Sequence, residues 1–104
     1  MSVDIFYDFI FKGESEELAR LVDEQFDERW FYPQSLGIDY PESFSYWNSH
    51  DRDEIINDEI TELNVRILVV KRMHFTNQSI EYDIYDEFKR QYPDLEIERI
   101  YVGD

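Results

Sequence analysis

One run constrains the fold of this chain more than any other: Leu63-Asn64-Val65-Arg66-Ile67-Leu68-Val69-Val70-Lys71. It is the longest apolar stretch, rich in β-branched residues and free of glycine and proline. Leu63, Val65, Ile67 and Val69 alternate onto one face, while Leu68 and Val70 add apolar weight to the other. That pattern predicts a central strand covered mainly on one side and partly on the other.

Four further segments can pair with it or cover it. Asp4 to Phe11 reads as a first strand, with Ile5, Tyr7, Phe9 and Phe11 on one face and Phe6, Asp8 and Ile10 on the other. Lys12-Gly13 signals a turn. Ser15 is then the expected N-cap of a three-turn helix, with Glu16 and Glu17 in its first turn and Leu18, Leu21, Val22 and Phe26 as its apolar stripe. Ser79 is the expected cap of a second helix running to Gln91, with Ile80, Ile84, Tyr85, Phe88 and Tyr92 inward; Pro93 ends it, because the residue before a proline avoids helical geometry. Leu95 to Val102 closes the chain as a strand whose interspersed charges suit a sheet edge.

The middle is harder to read. Residues 27–48 are crowded with aromatics and punctuated by Pro33, Gly37 and Pro41. Glu42 to Asn48 fits a short edge strand, and the rest an ordered loop pinned by its rings. Asp51 with Glu54 fits a capping box, followed by Ile56, Ile60 and Leu63 at helical spacing. A short acidic helix over roughly residues 52–62 is the reading, with a polar strand as its competitor. No repeat or low-complexity tract appears. The order strand, helix, weak strand, inserted helix, strand, helix, strand gives an α+β fold: a ferredoxin-like split β-α-β sandwich. Its antiparallel sheet carries two helices on one face, with right-handed crossovers.

One domain spanning residues 1–104 is expected. There is no cysteine, which removes disulfides, thiol catalysis and thiolate metal sites. No apolar segment approaches the ~20 residues that span a bilayer, and no signal-peptide pattern opens the sequence, so a soluble protein of the cytoplasm is expected, with no membrane contact.

Tyr46-Trp47-Asn48, the apolar strand, the second helix and Gln91-Tyr92-Pro93-Asp94-Leu95-Glu96-Ile97-Glu98 together resemble the ferredoxin-like domain of YubB-like proteins carried by phages and plasmids. The resemblance covers about half the chain. It implies a ferredoxin-like fold and a mobile-element setting, and carries over no catalytic residue.

Chemistry-bearing patterns are sparse. His50 and His74 are the only histidines, and His50 beside Asp51 and Asp53 reads more readily as a surface or capping residue than as a metal ligand. There is no nucleophile-elbow serine motif, no phosphate-cradling glycine loop and no His-x-x-x-His pair. Asp51-Arg52-Asp53-Glu54 lacks the glycine and spacing of a calcium loop. The reading is therefore no enzyme, no cofactor and no metal. Direct nucleic-acid binding is disfavoured too, because phosphate affinity needs a basic surface and the cations here are scattered.

Charge is the strongest functional signal: 25 Asp and Glu against 10 Lys and Arg, a net of −15. Disorder does not follow, since 42% of the residues are hydrophobic and 17% aromatic. Self-repulsion costs a folded domain some stability, which a basic partner would offset. Residues 1–62 carry 17 acids and 4 bases, whereas residues 63–104 carry 8 and 6. Glu16, Glu17, Asp23, Glu24, Asp27 and Glu28 avoid the apolar stripe of the first helix, and Asp53, Glu54, Asp58 and Glu59 form a second group. Two carboxylate rows on one scaffold can imitate a duplex backbone. Exposed Trp30, Tyr32 and Trp47 between them would anchor the contact.

The charge character is similar to that of phage DNA-mimic inhibitors. The expectation is an anti-CRISPR or anti-restriction inhibitor of phage or mobile-element type. It would block the basic nucleic-acid-binding surface of a host defence nuclease complex, acting in the host cytoplasm as a monomer or as a homodimer through Phe6, Ile10, Leu68 and Val70. The alternative is an acidic protein–protein adaptor whose charge serves solubility; a salt-sensitive complex separates the first from the second.

Overall fold

A computed structural model describes residues 5–40, 42–70 and 80–102. The expected connection over residues 72–78, which contains His74, the expected cap Ser79, and Asp4, Pro41 and Lys71 lie outside the described residues, as do the side chains of Val69, Val70 and Ile80. The elements are β1 (Ile5–Lys12), α1 (Ser15–Gln25), a 3-10 turn (Pro33–Leu36), β2 (Tyr46–Asn48), α2 (Arg52–Asn57), β3 (Glu62–Val70), α3 (Ile80–Gln91) and β4 (Glu96–Tyr101). They form an α+β fold around a four-stranded antiparallel sheet of order β2-β3-β1-β4.

The two most apolar strands sit side by side at the centre, as their composition predicts. Phe9 pairs with Val65 and Phe11 with Leu63, and all four are fully buried. Cross-strand partners share a face, so Tyr7, Phe9 and Phe11 project toward the helices together with Leu63, Val65 and Ile67. Asp8, Arg66, Phe6 and Leu68 project the other way. β4 lies at one edge and β2 at the other.

α1 and α3 cover the inward face. Leu18, Leu21 and Val22 of α1 are buried, with Ile84 and Phe88 of α3. The Phe88 ring lies 5.5 Å from Phe9, 5.1 Å from Phe11 and 5.9 Å from Phe26, centroid to centroid. α1 starts one residue earlier than its serine suggested. The Gly13 N–H donates to the Thr61 carbonyl (3.0 Å), and Glu14 follows as an extended N-cap without a side-chain bond, leaving Ser15 inside the first turn. Gly13 also admits a close approach: a Cβ there would stand 2.5 Å from Leu95 Cδ2.

The inserted helix departs from its expected form. Its capping box is present, Asp51 accepting from the Glu54 N–H (2.8 Å) and Glu54 from the Asp51 N–H (3.2 Å). Yet α2 stops at Asn57, its buried residue is Ile55, and Ile56 is 47% exposed. Its expected end lies near residue 62, but Glu62 already opens β3, with Leu63 buried in it as the strand reading expects. The stop is a C-terminal motif in which the Ile60 N–H reaches back to the Ile55 carbonyl (3.0 Å) and the Glu59 N–H to that of Ile56 (3.4 Å). It forces Glu59 to φ 52°, the left-handed region where a Cβ is costly. Glu59→Gly is therefore expected to raise stability by about 0.5–1 kcal/mol, read as a higher denaturant midpoint with an unchanged slope. A drop in midpoint would contradict the left-handed geometry.

Candidate partner-binding face

α1 and α2 lie against each other and run antiparallel. At one end Arg52 Nη1 meets Asp23 Oδ1 at 2.9 Å; at the other, Thr61 just past α2 is bonded to Gly13 just before α1. The two acidic groups thus share one side of the molecule. At 100° per residue, Glu16 and Asp23 fall on the α2 side of α1, while Glu17 and Glu24 fall toward α3.

These carboxylates are not equally available. Arg20 lies between Glu17 (2.6 Å) and Glu24 (3.0 Å) and stacks 4.5 Å over the Tyr92 ring. The hydrogen bond from Arg20 holds the Glu17 carboxyl below the usual range. Arg52 ties Asp23 and stands 3.7 Å from Asp53, and Glu54 belongs to the capping box with His50 Nδ1 at 3.7 Å. Glu16, Asp27, Glu28, Asp58 and Glu59 form no ion pair among the described residues.

Two sequence expectations need correction. Asp27 and Glu28 do not continue the helical rows, because α1 ends at Gln25. Phe26 leaves helical geometry (φ −131°, ψ 36°) and turns its ring into the core beside Phe31 and Tyr46. The Tyr46 hydroxyl then sits between the carbonyls of Phe26 (2.8 Å) and Glu28, fixing the bend that carries both acids. Nor do the three aromatics lie between two rows. Trp47 pairs with Arg66 on β3 and so projects from the opposite face of the sheet. Trp30 and Tyr32 flank buried Phe31, which bridges to Phe44, beyond the C-terminal end of α1; the Arg29 guanidinium lies 5.5 Å over the Trp30 ring.

A polar network that the sequence did not reveal locks the α1–α3 seam. The Tyr92 hydroxyl donates to Glu24 Oε1 (2.6 Å) and accepts from Gln25 Nε2 (3.2 Å), and Ser35 Oγ donates to Gln25 Oε1 (2.6 Å). Only the break in the apolar stripe at Gln25 hinted at it. Burial, and next the hydrogen bond to Glu24, push the Tyr92 hydroxyl above the ordinary tyrosine range; burial, then Asp27 and Glu28, raise Tyr46. Both groups hold their protons more tightly folded than unfolded. Their stabilising contribution is complete below a pH of about 10 and is lost as pH rises through that value toward the folded pKa. Stability is expected to fall steeply above about pH 10, with two of the eight tyrosines ionising only as the helical circular dichroism disappears. All eight titrating together in a folded protein would contradict it.

Among the described residues, no group of three or more His, Asp or Glu is placed to hold a metal ion, and no helix is long and apolar enough to cross a membrane. In comparisons of sequence and structure, no family model, curated protein or solved structure matches the chain.

Proposed function

We propose that this chain is a ferredoxin-like protein of the YubB-like, phage- and plasmid-borne kind. Its role is to inhibit a host defence nuclease, of the RNA-guided or restriction type, by occupying that enzyme's basic nucleic-acid-binding surface. The observation that carries this reading is the antiparallel pairing of α1 with α2, which gathers acids from two separate sequence segments onto one side. The strand order β2-β3-β1-β4 is compatible with the fold. Along α1, Glu16 and Asp23 stand about 10 Å apart, close to three phosphate steps of ~3.4 Å. Glu16, Asp23, Asp27, Glu28, Asp53, Asp58 and Glu59 supply the charge, and Trp30 and Tyr32 the apolar contact at its end. The mode of action is binding without catalysis. A basic groove is attracted at long range by the excess charge and then held by close carboxylate contacts.

One observation favours the adaptor reading: Trp47 is 58% exposed on the far face of the sheet, where apolar contacts would lead. Capture from host lysate on the tagged protein, followed by elution with salt or competing duplex DNA, decides between them. Recovery of a nucleic-acid-binding protein released by both supports mimicry. A partner retained through high salt and indifferent to DNA supports the adaptor.

A further inference from the structure

We propose that the outer edge of β2 is a strand-addition site, which takes a short extended segment of a partner protein with Lys or Arg alternating with apolar residues. The sheet order leaves β2 at an edge, and its backbone bonds show which groups face outward. Ser45 accepts from the Leu68 N–H (3.0 Å) and Ser49 donates to the Asn64 carbonyl (2.9 Å), so residues 45, 47 and 49 direct their backbone groups to β3. Alternation turns those of Phe44, Tyr46 and Asn48 the other way. Phe44 is taken, because it exchanges two bonds of 2.8 Å with Phe31. The outward N–H and C=O groups of Tyr46 and Asn48 form no hydrogen bond among the described residues.

The Phe31–Phe44 bridge shows how this edge is paired and why the pairing stops. Its antiparallel register, continued, would set Arg29 against Tyr46 and Asp27 against Asn48. The chain instead bends aside, with the Tyr46 hydroxyl holding the Phe26 and Glu28 carbonyls on the helix side of the sheet. Two ladder positions are left open beside a pair already formed.

Directed backbone groups select an extended peptide, since each residue in register returns one donor and one acceptor. The two faces select its side chains. A residue opposite Trp47 shares the far face with that ring, which is 58% exposed, and gains by being apolar. Residues opposite Tyr46 and Asn48 point to the helix side, where Asp27 and Glu28 stand exposed on the bend. Both carboxylates act on the Tyr46 hydroxyl, and Asp27 also acts on Arg52 at the start of α2, which places them along this edge. The neighbouring cations are engaged elsewhere, Arg29 over Trp30 and Arg52 on Asp23. Basic, apolar, basic is therefore the order that the edge complements. β2 has three residues, so the contact is weak on its own. It is separate from nuclease inhibition, because any protein presenting such a segment would satisfy it.

Amide spectra of the isotope-labelled full chain, titrated with the synthetic peptide acetyl-Lys-Val-Lys-Val-Lys-amide at low salt, test this on the unaltered protein. The expected result is saturable shifts at Tyr46 and Asn48 with a Kd of about 0.1–1 mM. Methylating the lysine backbone nitrogens, which removes the donors facing β2, weakens binding about tenfold or more, whereas methylating those of valine does not. The counterpart with Glu in place of Lys does not bind. Asn48→Pro removes one outward N–H and no bond to β3, so it leaves circular dichroism unchanged and weakens the peptide by a similar factor. Absence of shifts at these two amides up to about 10 mM peptide would overturn the proposal. So would equal binding by the lysine-methylated or the Glu peptide, or undiminished binding by folded Asn48→Pro.

Discussion

Phe88→Ala is expected to cost about 3–5 kcal/mol of folding stability, the largest effect of any single truncation in this core. The ring is fully buried on α3 and makes edge-on contacts with both central strand phenylalanines, Phe9 and Phe11. It also tilts against Phe26 at the end of α1 and, at 6.0 Å, against Phe31 in the following loop. Its removal leaves a cavity at the point where sheet, helices and loop meet, and forfeits ring–ring contacts worth about 0.5–1.5 kcal/mol each. Domains of this size have about 5–15 kcal/mol in hand, and self-repulsion lowers that here. The loss corresponds to a fall in Tm of roughly 15–30 °C. Chemical denaturation measures it, with Ile100→Ala as an exposed control that should move stability by no more than about 0.5 kcal/mol. A cost below about 1.5 kcal/mol for Phe88→Ala would mean that α3 is not seated on the sheet as described.

Where burial and periodicity coincide, the sequence was sufficient. β1 and β3 announce themselves by alternation, and each carries one charge in its interior, Asp8 and Arg66, on the side that turns away from the helices, with Lys12 and Glu62 paired at their ends. Their pairing depends on the register between the two strands, which the alternation within either strand does not specify. α3 was legible for the same reason as β1, with Pro93 marking its end. The failures are places where distant contacts decide. Phe26 looks like a continuation of the α1 stripe, and only the aromatic cluster with Phe31 and Tyr46 makes it the turning point. Two adjacent isoleucines, Ile55 and Ile56, offer α2 more than one inward face. The choice of Ile55 follows from packing against α1, together with a helix stop at a left-handed glutamate where glycine would have been visible. The acidic rows follow from an uninterrupted helical wheel, which carries no sign of the bend after Gln25 or of the bonds of Arg20 and Arg52. What survives of that reading is the side of the molecule on which the acids gather.

Reversing Asp27, Glu28, Asp58 and Glu59 to Lys together is the most demanding test of the acidic face. None of the four forms an ion pair among the described residues, and all are exposed, so no internal bond is broken. Asp58 and Glu59 follow the last turn of α2, where the helix dipole favours cations by about 0.3–1 kcal/mol. The change takes the net charge from −15 to −7, which relieves self-repulsion. The quadruple variant is therefore expected to fold, and at low salt to match or exceed the parent in stability. Against a basic nucleic-acid-binding partner the effect is the reverse. Each close charge pair at such an interface is worth about 1.5 kcal/mol or more, and reversal replaces attraction with repulsion, so affinity should drop at least about 100-fold at low ionic strength. The residual binding should also lose most of its salt dependence, because fewer charges remain to be screened. Titration of parent and variant against the captured partner, at low and physiological salt, reads both quantities. A folded quadruple variant that binds as tightly as the parent would remove the acidic face from the mechanism. Loss of binding by Trp47→Ala in the same titration would then transfer the role to the far side of the sheet, where neutral apolar contact rather than charge selects the partner.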